Sequence, residues 1–363
     1  MTLYKYTNYE QNLCLEDLDD RCLCLIASFT LKPWLFRVNC RMRELLYSEQ
    51  QEPIFRFLKH KYWKKHLLLD PENLFPGFYK DHVLALHLRP YEIPLLINRL
   101  PADILRSEYV SVYLNMSIEF SEEDPEYRYY ASCIADLIGR ANVSMIVYSY
   151  ESWSKLVYPR YSHLVRLFAE RSFIGCEMPL DFRNCTSLEI IGNYAFSNLR
   201  RTPDFTQCTR LKLIRERAFY ALEEPPDLSN CKELMIIENS AFHSLKRPPL
   251  MHGCKRLEKI DNAAFFNLTA PPDLRSCSRL KEIGPYAFFN LKTQPPDLTQ
   301  CTSLETIGPY AFFNLEEPPD LTKCKNLKRI GKQAFYNLKK MPDLSQCLKL
   351  FMVDEDAFPP HLK

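Results

Sequence analysis

From residue 185 onward the apolar positions return with a fixed period. Cysteines stand at Cys185, Cys208, Cys231, Cys254, Cys277, Cys301, Cys324 and Cys347, spaced by 23 residues with one step of 24. Three residues after each lies a leucine, from Leu188 to Leu350, and three further an isoleucine or valine, from Ile191 to Val353. An Ala-Phe pair follows in all eight units, from Ala195-Phe196 to Ala357-Phe358. The long step falls at Thr293-Gln294, just before a proline pair, where a loop absorbs one inserted residue. A unit this short cannot bury its own apolar face, whereas stacked copies share a continuous core and each coil touches its neighbours. The pattern therefore predicts a solenoid of eight coils, with a short strand between the leucine and isoleucine columns pairing in parallel with the next coil.

The remaining columns refine this picture. Gly192, Gly284, Gly308 and Gly331 follow the isoleucine column, where the chain is expected to turn. The alanine allows close backbone approach and the phenylalanine fills the coil. Asn198, Asn267, Asn290, Asn314 and Asn337 suit side-chain hydrogen bonds to turn backbone. Pro-Pro-Asp-Leu stretches cannot be helical, because proline removes a donor and holds the chain extended. Coils ~4.8 Å apart would bring the cysteines within disulfide range, yet their side-chain vectors run parallel. Free, buried thiols acting as small hydrophobes are expected. No C-x-x-C occurs, the tightest pair being Cys22-x-Cys24, so no metal or cofactor is expected.

The spacing L-x-x-I-G-x-x-A-F resembles the BspA-like leucine-rich repeats over residues 175–358. That resemblance implies a curved or twisted solenoid that binds other macromolecules.

The first half reads differently. Residues 11–66 divide into short helical stretches, and Leu35, Val38, Met42 and Leu45-Leu46 fall on one face at helical spacing. Here the chain resembles an F-box: Leu15 to Phe29 is similar to its first helix, Val38-Asn39-Cys40-Arg41 to its core motif, and Trp63 to its trailing tryptophan. The opening Leu-Pro of that motif is absent and the loop after Phe29 is short, and a generic helical bundle is the other reading. The resemblance implies docking on the adaptor subunit of a cullin-type ubiquitin ligase. Leu18, Leu23, Ile26, Phe29, Leu35 and Val38 would then form the docking face or its core. Residues 67–172 read as a helical linker domain capping the solenoid, with helices near 92–105 and 128–147. The apolar segment 151–171, containing Trp153, is expected to be partly helical and to cover the first coil. The fold class expected is α+β: a helical N-terminal region followed by a solenoid over 173–363.

Composition narrows the function. The 363 residues carry a net charge of +2, which offers no global field for nucleic acid or membrane. The basic run 56–66 interleaves lysines with Phe57, Tyr62 and Trp63, but reads better as a solvated amphipathic helix. The start MTLYKYTNYEQ lacks the pattern of a signal peptide, and no long apolar run offers a membrane span. An intracellular, cytoplasmic or virion location is expected, and the sequons at Asn115, Asn142, Asn184 and Asn267 read as chance matches. The eight glycines form no phosphate-binding loop, and no H-E-x-x-H or G-x-S-x-G motif occurs. Neither an enzyme nor a small-molecule substrate is expected.

Candidate chemistry lies on the strands. Lys212, Glu258, Lys259, Lys281, Glu282, Glu305, Lys328 and Arg329 vary between constant apolar columns. This row reads either as a recognition surface for a protein partner or as a solvated face of mixed charge. Tyr220, Phe266, Phe289, Phe313 and Tyr336 follow the Ala-Phe pairs and read as core, the other reading being an exposed row that forms a sticky interface. Asp227, Asp273, Asp297, Asp320 and Asp343 read as turn residues. Together these features describe a non-enzymatic protein-protein interaction scaffold, expected to be a substrate-recruiting F-box/leucine-rich-repeat adaptor. The alternative is a structural component of a large assembly such as a virus particle.

Overall fold

A computed structural model describes residues 84–88, 93, 110–116, 125–141, 143–291 and 293–362. The helical stretches expected in 11–66, the six candidate docking residues and nearly all of the helix expected at 92–105 lie outside the described residues. The chain divides into two compact units, the first ending at Ser144 and the second comprising 116–119 and 145–363.

In the first unit, strand β1 (Leu84–Leu88) pairs in parallel with β2 (Val110–Met116), from Leu84 opposite Val110 to Leu88 opposite Leu114. Helix α1 runs over Pro125–Arg140. Proline fits the first helical position, where its missing N–H costs no bond. Ile134 and Leu137 are buried at i, i+3 spacing, and Arg140 pairs with Asp136 one turn back at 2.7 Å. The helix stops short of its expected end at 147. Val143–Val147, which passes into the second unit at Met145, is strand β3, because its Val-Ser-Met-Ile-Val run is β-branched and apolar where a helix would need an exposed face.

The second unit is the solenoid. Strand β4 (Val165–Phe168) is followed by two-residue strands β5 (Ile190–Ile191), β6 (Leu213–Ile214), β7 (Ile236–Ile237), β8 (Lys259–Ile260), β9 (Glu282–Ile283), β10 (Thr306–Ile307), β11 (Arg329–Ile330) and β12 (Met352–Val353). Each pairs in parallel with the next, isoleucine opposite isoleucine along most of the column. The described residues thus form nine turns, not eight. The additional coil occupies residues 162–184. Its Ser162 holds the cysteine position, buried, with its hydroxyl donating to Pro159 O at 3.0 Å. Val165, Phe168 and Phe173 hold the leucine, isoleucine and phenylalanine positions, all buried. Half of the segment expected to be a cap is therefore itself repeat. The cap proper is a pair of helical turns, Tyr150–Ser152 and Trp153–Val157. The Trp153 ring meets Phe182 edge-on at 4.9 Å and Phe168 at 5.9 Å, closing the apolar end of the first coil.

The cysteine, leucine, isoleucine, alanine and phenylalanine columns form the core. From Phe173 to Phe358, the buried rings lie nearly parallel at 5.2–5.6 Å, one per coil. Two hydrogen-bond ladders flank this stack, and they run in opposite directions. On the strands each coil donates to the one before it, as in Lys212 N to Glu189 O at 2.8 Å and Arg215 N to Ile191 O at 2.9 Å. Along the Ala-Phe segment each coil donates to the one after it: Tyr194 N to Glu216 O at 2.9 Å, Phe196 N to Ala218 O at 2.8 Å, Asn198 N to Tyr220 O at 3.0 Å.

The second ladder explains an unusual backbone. Arg171, Tyr194, Arg217, Ser240, Ala263, Tyr286, Tyr310 and Gln333 share one repeat position, and all are left-handed, with φ between 50° and 58°. Such residues cost about 1–3 kcal/mol each unless their surroundings hold them. Their amide groups are among the ladder's donors, so the inter-coil bonds hold them. The column glycines, by contrast, are not left-handed. Their role is close approach and not turning: a Cβ at Gly308 would lie 2.6 Å from Pro285 N and 2.7 Å from Gly284 C. The asparagines also differ from expectation. Asn290 Nδ2 donates to Asn267 Oδ1 at 2.6 Å, Asn314 donates to Asn290, and Asn337 to Asn314 at 2.7 Å. They bond one another because identical amides stacked one coil apart offer donor to acceptor in register.

Replacing Gly308 by alanine forces backbone of two coils apart. Urea unfolding is expected to show a loss of about 1–3 kcal/mol, the usual cost of overpacking.

Candidate functional site

The eight charged residues expected to form a recognition row come together on the solenoid's strand face. None is buried: Lys281 and Arg329 are exposed and the other six half-buried. They pair from coil to coil. Lys281 Nζ lies 2.7 Å from Glu258 Oε2, and Lys328 Nζ 2.7 Å from Glu305 Oε2. Lys259 Nζ lies 3.5 Å from both Glu282 and Asp261. Lys328 donating to Glu305 holds that carboxyl below its usual range. Along one column the signs alternate from coil to coil, as Glu189 and Lys212, then after Met235 as Glu258, Lys281, Glu305 and Lys328. The first rung of that column is Glu189, whose carboxylate is buried among three cations: Arg166 at 2.6 Å, Lys212 at 3.1 Å and Arg210 at 3.8 Å. Sequence reasoning named Lys212 and missed Glu189. The signal was a sign alternation one coil apart, as Glu189/Lys212, Glu258/Lys281 and Glu305/Lys328.

The aspartate column serves the turns, as its residue type implies. Asp204, Asp297 and Asp320 each accept from the N–H and the hydroxyl of a threonine two residues on, at 2.6–3.0 Å. Asp181 and Asp273 pair with Arg183 and Arg275 in the same geometry. The guanidinium of Arg183 holds the Asp181 carboxyl down to about 2. Arg275, Thr322 and Ser345 lower Asp273, Asp320 and Asp343 in the same direction.

The cysteine column is a set of free thiols. Cys254 Sγ donates to Leu228 O at 3.5 Å and Cys301 Sγ to Leu274 O at 3.8 Å, each reaching an earlier coil. Burial pushes the thiols well above their ordinary value, to about 12 for Cys277 and Cys324. A thiol raised in this way is held in its protonated form, which is the less nucleophilic one. No cluster of metal-ligating side chains occurs among the described residues. None of their helices is long and apolar enough to cross a membrane.

The aromatic row departs from expectation. Tyr220, Phe266, Phe289, Phe313 and Tyr336 lie outside the core, half-buried on the flank of the Ala-Phe segment. With His243 they form a second stack, centroids 4.7–5.2 Å apart. The interior position is already taken by the phenylalanine one residue earlier, so the next ring must point outward. Beside this stack runs the left-handed column, in which Tyr286 stacks on Tyr310 at 4.8 Å. Tyr194 lies between Arg171 and Arg217, whose guanidinium carbons are 5.5 and 5.6 Å from its ring centre.

Parallel coils of about 23 residues with constant apolar columns define a leucine-rich-repeat solenoid. The chain belongs to the BspA type leucine rich repeat family, whose profile matches residues 166–252 and 251–361, more than half of the chain. The match begins inside the additional coil. A crystal structure of a leucine rich cell surface protein from Faecalibacterium prausnitzii A2-165 aligns with 52% of this chain and 83% of its own, at 16% identity and a TM-score of 0.18. A superposition that loose carries no structural argument. No curated protein matches the chain. Leucine-rich-repeat proteins generally bind proteins, and their families are in general non-enzymatic scaffolds.

Two outcomes follow from these groups. Iodoacetamide labelling of the native chain, read by peptide mass mapping, should modify Cys133 and Cys176 at least about tenfold faster than Cys208 to Cys324. Acid should act through the aspartates. A carboxyl lowered in the fold stabilises it above the unfolded value near 3.9 and loses that contribution as pH falls toward the folded value. The melting temperature should hold from pH 7 to about pH 5 and fall between about pH 4 and pH 2, less steeply in Asp320→Asn.

Proposed function

We propose that this chain is a non-enzymatic protein-interaction scaffold that engages a protein partner through the charged strand row. The observation that carries this reading is the row's ladder of alternating lysine and glutamate, held at fixed spacing on a rigid parallel sheet. Exposed pairs of this kind contribute at most about 1 kcal/mol to stability. A partner of complementary charge can therefore exchange them for its own at little cost to the fold. Lys212, Glu258, Lys259, Lys281, Glu282, Glu305, Lys328 and Arg329 are the contact residues of this proposal.

The finer reading is a substrate-recruiting adaptor of a ubiquitin ligase in the cytoplasm. Its support is the F-box-like motif in 11–66, followed by a repeat domain suited to choosing a substrate. Leu18, Leu23, Ile26, Phe29, Leu35 and Val38 then dock on the ligase adaptor subunit.

Pull-down of the full chain with that adaptor subunit tests the finer reading. Binding that is lost in Leu23→Asp and Val38→Asp supports it, and no binding rejects it. The scaffold reading is tested by the double variant Lys281→Glu, Lys328→Glu. It should melt within a few degrees of the parent while losing at least about tenfold in affinity for whatever partner co-purifies. Unchanged affinity rejects the strand row as the contact surface.

A further inference from the structure

The coil that carries β12 turns apolar at positions where the coils before it are polar. The position of Leu348 holds threonine, lysine or serine from Thr186 to Lys325, exposed in every coil, and Leu348 is 82% exposed. The position of Phe351 holds Glu258, Lys281, Glu305 and Lys328 in the four preceding coils, and Phe351 is 78% exposed. Met352 and Val353, the residues of β12, are exposed as well, although the isoleucines of the Val353 column are buried from Ile191 to Ile330. Soluble proteins ordinarily blunt a strand edge with charge or proline, and solenoids give their terminal coils a polar outer face. The run Leu350–Val353 has neither charge nor proline. The backbone restricts what can pair there. Lys328 O and Ile330 O accept from the coil after them, from Met352 N at 3.2 Å and Asp354 N at 3.1 Å. Phe351 O and Val353 O hold the same positions in β12, and among the described residues no strand lies beyond it. A residue in a strand turns its N–H to the same side as its C=O, so Val353 presents both groups to this edge.

We infer that this edge joins two copies of the chain, β12 against β12, antiparallel and centred on Met352. The order of charges along the segment selects a second copy. Lys349 precedes the apolar run, and Asp354 and Glu355 follow it. A two-fold contact with the strands parallel sets Lys349 against Lys349 and Glu355 against Glu355. The antiparallel contact sets Lys349 of each copy against Glu355 of the other, and Phe351 against Val353. In that register Val353 N–H donates to Phe351 O of the other copy, and symmetry repeats the bond. The free backbone groups and the charges therefore agree on one register. Lys349 Nζ donates to Asn326 Oδ1 of its own chain at 2.7 Å and keeps two further donors. Stacking end to end in one direction is blocked, because β4 at the other end of the solenoid already pairs with β3. The contact is thus closed at two copies. It goes beyond the scaffold reading and does not depend on it.

Sedimentation velocity of the full chain tests this. At concentrations rising to about 100 μM, monomer should pass to dimer and no further. Phe351→Glu should stay monomeric throughout. Its side chain is exposed, so at low concentration the variant should melt within a few degrees of the parent. Lys349→Glu sets like charges opposite one another twice per dimer and should weaken association at least about tenfold. Adding Glu355→Lys to Lys349→Glu restores opposite charges in the same register, and the double variant should associate within about threefold of the parent. A chain that is monomeric at every concentration overturns the proposal. So does a dimer that survives Phe351→Glu, a charge swap that fails to restore association, or growth beyond two copies.

Discussion

A buried phenylalanine in each coil lies flat against that of the next, and the other features of the solenoid depend on this contact. The rings from Phe173 to Phe358 stand about 5.3 Å apart, centre to centre. That distance lets the strand amides and the Ala-Phe amides both reach a neighbouring coil. The glycine column follows from it as well, since backbone drawn this close leaves no room for a Cβ at Gly284 or Gly308. The left-handed residues belong to the same arrangement, since their amides and those of the alternate Phe residues all donate along the axis to the next coil. Interior phenylalanines typically contribute several kcal/mol, and removing one typically costs about 3–5 kcal/mol.

Stacking also decides how the surface is organised. A side chain on this solenoid meets, as its nearest neighbour, the residue one repeat away rather than one helical turn or two strand positions away. Asparagine bonds asparagine, lysine pairs with glutamate, and ring stacks on ring. A column of identical residues thus becomes a continuous material, and a change in one coil becomes an interruption. One column shows this where Arg171, Tyr194 and Arg217 give way to the small Ser240 and Ala263 before Tyr286 and Tyr310 resume.

What could be read from sequence were the columns that recur without exception. Cys185 to Cys347, Leu188 to Leu350 and the Ala-Phe pairs announced coil length, strand position and core. The coil at 162–184 escaped because it keeps the shape of each position while changing its identity: serine for cysteine, valine for leucine, Ser172-Phe173 for Ala-Phe. Burial tolerates that exchange; pattern matching does not. The aromatic row was misplaced for another reason. Phe265 and Phe266 are adjacent and chemically alike, and composition cannot say which of two neighbours faces inward. The charged row was identified residue by residue, whereas its pairing became visible only at a lag of one repeat, and the buried Glu189 became visible with it.

The two opposed ladders have a consequence for size. A helix accumulates a dipole because its peptide groups all point one way along the axis. Here the strand carbonyls point along the axis in one sense and those of the Ala-Phe segment in the other, so each added coil contributes nearly cancelling moments. Lengthening the stack builds up no polarity at its ends, and no electrostatic penalty sets an upper limit on coil number. Whole coils can therefore be added or removed without an electrostatic cost that grows with length. The binding surface can grow by one rung at a time while the chemistry of the existing rungs stays as it was.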